Sequence, residues 1–111
     1  MIVRVRVLAE APSRVWMAVS GTLGAATAHH VRRGLHDCVE AGTSSFFLDL
    51  RELRCTDGAN GYGPRALFAV GSAVRFHLVG APAEIRDCID ADPRFTLHSS
   101  LESAWEQWVR D

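Results

Sequence analysis

Lysine is absent from this chain of 111 residues, and all 12 of its basic side chains are arginine. The absence excludes every mechanism that needs a lysine amine. Among these are Schiff-base catalysis and the phosphate-binding loop that ends in Gly-Lys-Ser/Thr. The exclusive use of arginine also favours a GC-rich bacterial genome as the source of the sequence.

A large net charge and a long apolar run are missing as well. The formal net charge of −1 gives no electrostatic argument for nucleic-acid binding, which favours a strongly basic face. No apolar run approaches the roughly 20 residues that cross a bilayer. The first residues alternate between apolar and charged side chains, unlike a signal peptide. We therefore expect a cytoplasmic protein with neither nucleic acid nor membrane as a partner.

Cysteine and histidine motifs that form disulfides or bind zinc are also lacking. Cys38, Cys55 and Cys88 are odd in number and widely spaced, which predicts neither a disulfide framework nor a zinc site. We expect buried free thiols. Adjacent His29 and His30 point in different directions on a helix, and no carboxylate completes a set of ligands. The sequence therefore predicts no metal site and no cofactor.

Hydrophobic periodicity predicts one α/β domain over residues 1–111. Period-two and continuous apolar patterns predict five strands, over residues 2–8, 15–19, 46–50, 73–80 and 94–97. Helical periodicity predicts four helices, over residues 25–40, 66–70, 81–92 and 99–110. Ser20, Gly21 and Thr22 are expected to end the second strand. The order β-β-α-β-α-β-α-β-α implies a mixed, mostly parallel sheet with right-handed crossovers.

The last predicted helix carries two tryptophans. Ser99, with Glu102 three residues later, predicts a capping box at its start. Trp105 and Trp108 fall on its apolar face with Leu101, Ala104 and Val109. Both tryptophans are expected in the core, with Trp108 the more open to solvent. His77 and His98 are interpreted as ordinary strand residues.

The stretch from Phe46 to Gly63 is the most informative part of the sequence. A buried strand, residues 46–50, runs into a polar loop that contains Asp57 and three glycines. A glycine-rich loop that follows a buried strand is a frequent place for function in an α/β domain. The simpler alternative is a solvent-exposed turn, because Asp-Gly and Asn-Gly are common turn dipeptides.

Four local motifs, in this order, resemble the STAS domain, which is the fold of bacterial anti-sigma factor antagonists. They are Gly21-Thr22-Leu23 before the first long helix, Asp49-Leu50 followed eight residues later by Asp57, Leu78-Val79-Gly80-Ala81-Pro82, and Leu101-Glu102-Ser103-Ala104. The resemblance covers nearly the whole chain.

The resemblance also points to a missing modification site. In that family the loop reads Asp-Ser-Ser-Gly, and the second serine is phosphorylated by a kinase that is also the anti-sigma factor. With Asp57 on the aspartate of the motif, Gly58 and Ala59 occupy the serine positions and Asn60 the glycine position. The acceptor hydroxyl is therefore absent. Thr56, the nearest hydroxyl, lies on the other side of Asp57, and we do not expect its phosphorylation.

The resemblance implies a non-catalytic module that binds a regulatory partner, either an anti-sigma factor or a related kinase-like protein. The expected contact residues are Asp57, Gly58, Ala59, Asn60 and Tyr62. The sequence leaves open whether the protein forms a homodimer. An alternative is a domain whose Gly58–Gly63 backbone amides bind a small anion or nucleotide.

An enzyme is the third reading of the same loop. Asp57 with Cys55 or His77 is the only catalytic set that can be assembled, and nothing in the sequence brings these residues together. Hydrolase motifs such as Gly-x-Ser-x-Gly are also missing. We expect no catalysis.

Overall fold

The structure is a computed structural model that describes residues 2–56, 67–89 and 91–110. Within these ranges the chain forms six strands and three helices. In chain order they are β1 (Val3–Ala11), β2 (Arg14–Leu23), α1 (Ala28–Glu40), β3 (Ser45–Asp49), β4 (Leu53–Cys55), β5 (Arg75–Val79), α2 (Ala83–Cys88), β6 (Phe95–His98) and α3 (Leu101–Arg110). None of the helices in the described ranges is long and apolar enough to cross a membrane.

All six strands belong to one sheet. Five of them follow the order β1-β2-β3-β5-β6, and β4 pairs with β2. β1 pairs with β2 in antiparallel orientation, and every other pairing is parallel. The predicted mixed, mostly parallel sheet is confirmed. Strand β2 is long enough to have two successive neighbours on one side, β3 along Arg14–Ala18 and β4 along Gly21–Leu23.

Two features of this region differ from the prediction. Strand β2 does not end at Ser20 to Thr22 but continues through Gly21 to Leu23. Gly21 has a φ of +100°, a conformation that glycine adopts without penalty, so here it lies inside a strand and does not end one. Strand β4 was not predicted, because three residues give too little pattern to read.

The predicted helix over residues 66–70 falls partly outside the described residues. Leu67 is helical, and Phe68 lies in the turn that follows. Both side chains are buried in the core. The described part of the chain therefore contains three complete helices where the sequence predicted four.

The main core lies between one face of the sheet and helices α1 and α2. Phe46 and Phe76 stack with their ring centroids 5.5 Å apart, and Phe68 meets Phe76 edge-on at 5.0 Å. Val31 and Leu35 of α1 and Ile85 of α2 are buried against these strands. Each buried side chain of this size contributes about 1.5 to 3 kcal/mol of hydrophobic free energy.

A second, aromatic core lies on the other face of the sheet, under α3. Trp16 stacks on Phe47 at 5.4 Å, and Trp108 meets the edge of Phe47 at 5.2 Å. Trp108 is only 7% exposed, whereas Trp105 is 54% exposed. The expected place of Trp108 in the core is therefore confirmed, whereas the expected burial of Trp105 and the greater exposure expected of Trp108 are wrong. Ala104 and Trp108 set the buried face of the helix, and Trp105 lies on its flank.

Helix α3 begins one residue later than its predicted cap implies. The backbone N–H of Ser103 donates to Oγ of Ser100 at 3.1 Å, so Ser100 is the capping residue. The predicted capping box of Ser99 and Glu102 is wrong by one position. β6 runs to His98, which leaves Ser99 in the bend between strand and helix.

Candidate functional site

Five parallel strands end at the same edge of the sheet, which we call the carboxyl edge. β2 ends at Leu23, β3 at Asp49, β4 at Cys55, β5 at Val79 and β6 at His98. Open α/β sheets bind their ligands and partners at this kind of edge. The loop singled out in the sequence leaves the sheet here, directly after β4.

The predicted contact residues themselves lie outside the described residues. They are Asp57, Gly58, Ala59, Asn60 and Tyr62. Their role in partner binding, and the loss of the acceptor at position 59, stay predictions. The described part of the site is the rim of the carboxyl edge from which the loop departs.

Thr56 is the last described residue before the loop. Its backbone N–H donates to the carbonyl oxygen of Leu23 at 2.9 Å, and its hydroxyl donates to the same oxygen at 3.4 Å. The half-buried hydroxyl is therefore directed at the end of β2. These bonds attach the start of the loop to the neighbouring strand.

The turn before α1 forms the adjacent part of the rim. Thr27 is buried; its hydroxyl accepts a hydrogen bond from the N–H of Gly24 at 2.9 Å. The same hydroxyl donates to the carbonyl oxygen of Thr22 at 2.7 Å. Hydrophobic periodicity gives no signal for these bonds. They hold the Thr22–Thr27 turn in one conformation beside Thr56.

Asp49 and Arg51 form an ion pair at the end of β3. Nε and Nη2 of Arg51 each donate to a carboxylate oxygen of Asp49 at 2.9 Å, and the backbone N–H of Arg51 adds a bond at 3.2 Å. Partial burial raises the pKa of Asp49, but the hydrogen bonds and charge of Arg51 outweigh it and hold that pKa below its usual value. Gly80, with a φ of +66°, lies so close that a β-carbon there would be 2.5 Å from Cγ of Arg51.

Cys55 faces helix α2, near Glu84 and Cys88. Burial raises the pKa of the Cys55 thiol to about 11, and the nearby Glu84 carboxylate adds to the effect by its charge and by a hydrogen bond. A thiol with this pKa is almost fully protonated at neutral pH and is not an activated nucleophile. All three cysteines are free and half-buried, so the expected burial of these thiols is only partial.

A chain of polar side chains on the other face of the sheet was missed by the sequence reading. Nδ1 of His77 lies 3.0 Å from Nε2 of His98, and Nδ1 of His98 lies 2.9 Å from Oγ of Ser103 in α3. The His77 ring stacks on Phe47 at 4.3 Å. Burial lowers the pKa of His98. Only the parallel register of β5 and β6, which periodicity does not reveal, brings the two histidines together.

Cys55 and His77, two members of the possible catalytic set, lie apart. Cys55 packs against the main core on one face of the sheet, whereas His77 stacks on Phe47, which belongs to the aromatic core on the other face. The sheet therefore separates the Cys55 thiol from the His77 imidazole. Asp57, the third member of the set, lies outside the described residues.

His29 and His30 lie in contact at the start of α1, with their ring centroids 4.1 Å apart and the ring planes tilted by 36°. In residues 2–56, 67–89 and 91–110, no three His, Cys, Asp or Glu side chains are grouped as metal ligands. The expectation that the protein binds no metal stays a prediction.

Comparison of the fold with solved structures gives matches over almost the entire chain. An anti-sigma factor antagonist from Mycobacterium paratuberculosis is 20% identical, with a TM-score of 0.70, and covers 99% of this chain and 96% of its own. The anti-sigma factor antagonist SpoIIAA in its unphosphorylated form is 18% identical, with a TM-score of 0.65, over 96% of this chain and 98% of its own.

The chain has the STAS fold. The phosphorylated form of Bacillus SpoIIAA, a cell fate determinant, matches as well, at 17% identity and a TM-score of 0.63, over 95% of this chain and 99% of its own. The resemblance noted in the sequence is therefore confirmed for the fold. No protein-family model matches the sequence, and no curated protein matches it either.

Proposed function

We propose that this STAS-fold protein is a non-catalytic regulatory module that binds a protein partner through the carboxyl edge and the loop of residues 57–62. The observation that supports the proposal most is the match to an anti-sigma factor antagonist over 99% of the chain. The partner class is an anti-sigma factor or a related kinase-like protein, in a cytoplasmic pathway that regulates transcription.

The described rim suits a docking role. Thr27 fixes the turn beside β2, Thr56 attaches the loop to Leu23, and Arg51 is held against Asp49 and Gly80. A rim held by hydrogen bonds loses little conformational freedom when a partner binds, which favours affinity.

Ala59 makes this module insensitive to the serine phosphorylation that the resemblance to STAS proteins implies for its family. A phosphate brings about −1.5 to −2 charges, and a partner face complementary to the unmodified loop would reject that charge by repulsion and desolvation. An alanine cannot accept it. The module is therefore a constitutive binder, controlled by its own abundance or by the state of its partner.

The first test is an affinity pull-down from the lysate of a GC-rich bacterium, read by mass spectrometry. Wild type is compared with Asp57→Arg on the loop and with Asp37→Arg on α1. Asp37 is exposed and lies near the end of α1, so its variant makes the same charge change away from the carboxyl edge. We expect wild type and Asp37→Arg, but not Asp57→Arg, to retain an ATPase or a sigma-pathway protein. Identical or empty captures with all three baits contradict the proposal and favour the small-anion alternative.

The second test restores the missing hydroxyl. The captured ATPase is incubated with labelled ATP and either wild type or Ala59→Ser. We expect label on Ala59→Ser alone, together with weaker retention of the modified protein. As a control, Thr56→Ala is introduced both into wild type and into Ala59→Ser. Label on wild type that disappears with Thr56→Ala contradicts the expectation that Thr56 is not modified.

A further inference from the structure

The face of the sheet under α3 is only half covered by the described helices. Helix α3 packs on β3, β5 and β6, while α1 and α2 belong to the main core on the opposite face. Along β2, Trp16 is buried under α3, but Ala18, Ser20 and Thr22, which follow it on the same face, remain partly exposed. The surface around these three small residues is therefore a flat floor open to solvent.

Two arginines of β1 border this floor. Arg4 and Arg6 alternate with Val3 and Val5, which pack into the main core, so the arginines point to the opposite face. Arg4 is the direct cross-strand neighbour of Ser20, and Arg6 is that of Ala18.

A third arginine borders the floor from the other side. Arg54 lies between Leu53 and Cys55, both of which face the main core. It therefore points to the open face, where its cross-strand neighbour is Thr22. We call the surface formed by Ala18, Ser20, Thr22 and these three arginines the basic sheet face.

The basic sheet face carries an excess of positive charge. Arg4, Arg6 and Arg54 are exposed, and none of them takes part in an ion pair in the described part of the chain. Arg51, nearby, is neutralised by Asp49. This local charge contrasts with the net charge of −1 of the whole chain.

The spacing of the arginines suits an extended ligand. Arg4 and Arg6 are two residues apart on a strand, roughly 7 Å, and Arg54 lies two strands away from β1, roughly 10 Å. Arginines that lie over their own strands present three separate positive groups. This arrangement favours a ligand that carries several negative groups spread over a comparable length.

We infer that the basic sheet face binds an acidic segment of a protein partner, at a surface separate from the loop of residues 57–62. Arginine guanidinium groups pair with carboxylates in a fixed, bidentate geometry, and the small floor residues let an extended segment approach the sheet. Long polyanions such as nucleic acid, or a charged membrane, extend beyond the basic sheet face and meet the rest of a chain whose net charge is negative. A short acidic segment can stay within the basic sheet face.

The test measures fluorescence anisotropy of a labelled peptide of about ten residues in which Glu alternates with Thr, a length that spans β2. A peptide with Gln in place of Glu is the matched probe. The variant is Arg4→Gln/Arg6→Gln/Arg54→Gln. The control, Arg32→Gln/Arg33→Gln/Arg86→Gln, removes three exposed arginines from α1 and α2 on the opposite face. Circular dichroism verifies that both proteins are folded.

We expect wild type to bind the Glu peptide and not the Gln peptide at about 50 mM salt. The basic-face variant should weaken binding by about tenfold, and the control by less than about twofold. Equal weakening in both variants, or no binding of the Glu peptide, overturns the inference. Tighter binding of a single-stranded oligonucleotide of the same length, or of phosphatidylserine vesicles, also overturns it.

Discussion

At the scale of single residues, Gly21 carries the strongest constraint described for the sheet. Its φ of +100° is one that other residues rarely adopt, and an added β-carbon would meet the carbonyl oxygen of Ile2. That oxygen accepts a hydrogen bond from Thr22 at 2.9 Å, so the clash falls on the pairing of β1 with β2. We expect Gly21→Ala to lower the free energy of unfolding by about 3 kcal/mol, measured by urea denaturation.

Gly42 provides the matched control for this substitution. Its φ of +104° is nearly the same, but no atom lies within 4 Å of the position that a β-carbon would occupy. Gly42→Ala therefore introduces the backbone strain without the clash, and its expected cost is about 1 kcal/mol. Equal losses for the two variants would show that the contact with Ile2 does not matter.

The residue scale also shows what the sequence can reveal about a glycine. The Ser20-Gly21-Thr22 stretch is typical of a strand end, and periodicity alone supports that interpretation. In the structure Gly21 lies inside β2, paired with β1 on one side and β4 on the other. The position needs a glycine because the neighbouring backbone of β1 leaves no room for a side chain. The reason for the glycine lies in residues distant in sequence, which no local pattern contains.

At the scale of secondary-structure elements, the start of α3 is set by Ser100. Its Oγ accepts the N–H of Ser103 at 3.1 Å, which satisfies one of the unpaired donors of the first turn. We expect Ser100→Ala to cost about 1 kcal/mol of stability. Ser99→Ala is the neighbouring control, expected to stay within about 0.5 kcal/mol of wild type. A larger loss from Ser99→Ala would restore the capping box predicted from the sequence.

The attachment of α3 to the sheet is sensitive to pH through His98. Burial lowers the pKa of His98 from its ordinary value of 6.5, so the unfolded chain takes up the proton more readily than the folded protein. The stability that comes from neutral His98 is fully present above about pH 6.5 and is lost as the pH falls below it. We expect the midpoint of urea unfolding to decrease between about pH 7.5 and about pH 5.5.

Two variants compare His98 with an exposed histidine. His98→Gln should reduce the pH dependence of the unfolding midpoint, because the group that titrates under α3 is gone. His36→Gln, at an exposed site paired with Glu40 at 3.5 Å, should leave that dependence unchanged. A pH dependence that survives in His98→Gln and disappears in His36→Gln would contradict the assignment.

At the scale of the whole molecule, one sheet separates two cores, and Trp108 is the main contact that α3 makes with the second. It meets Phe47 at 5.2 Å and Trp16 at 5.7 Å. We expect Trp108→Ala to lower the free energy of unfolding by about 3 to 5 kcal/mol. Trp105→Ala removes an indole of the same size from the exposed flank and should cost about 1 kcal/mol or less. Similar losses would mean that Trp105 belongs to the core after all.

The architecture was more predictable than the site. Alternation in β1 and the apolar run Phe46–Leu50 each report on one element, and both strands are present, although β1 continues to Ala11. Which strands are neighbours depends on crossover connections, so the pairing of His77 with His98 and the position of β4 were beyond reach. The loop interpretation rests on a resemblance, since a run of glycines has no periodicity that determines a conformation.

The order of the elements along the chain has a consequence for synthesis. Trp16 and Phe47 lie far ahead of Trp108, which covers them in the folded protein. At about 10 residues per second, a ribosome completes Trp108 roughly six seconds after Phe47. During that interval α3 has not yet been synthesised and cannot pack on Trp16 and Phe47. A chaperone that binds exposed aromatic side chains would find its site there, and would lose it when α3 docks.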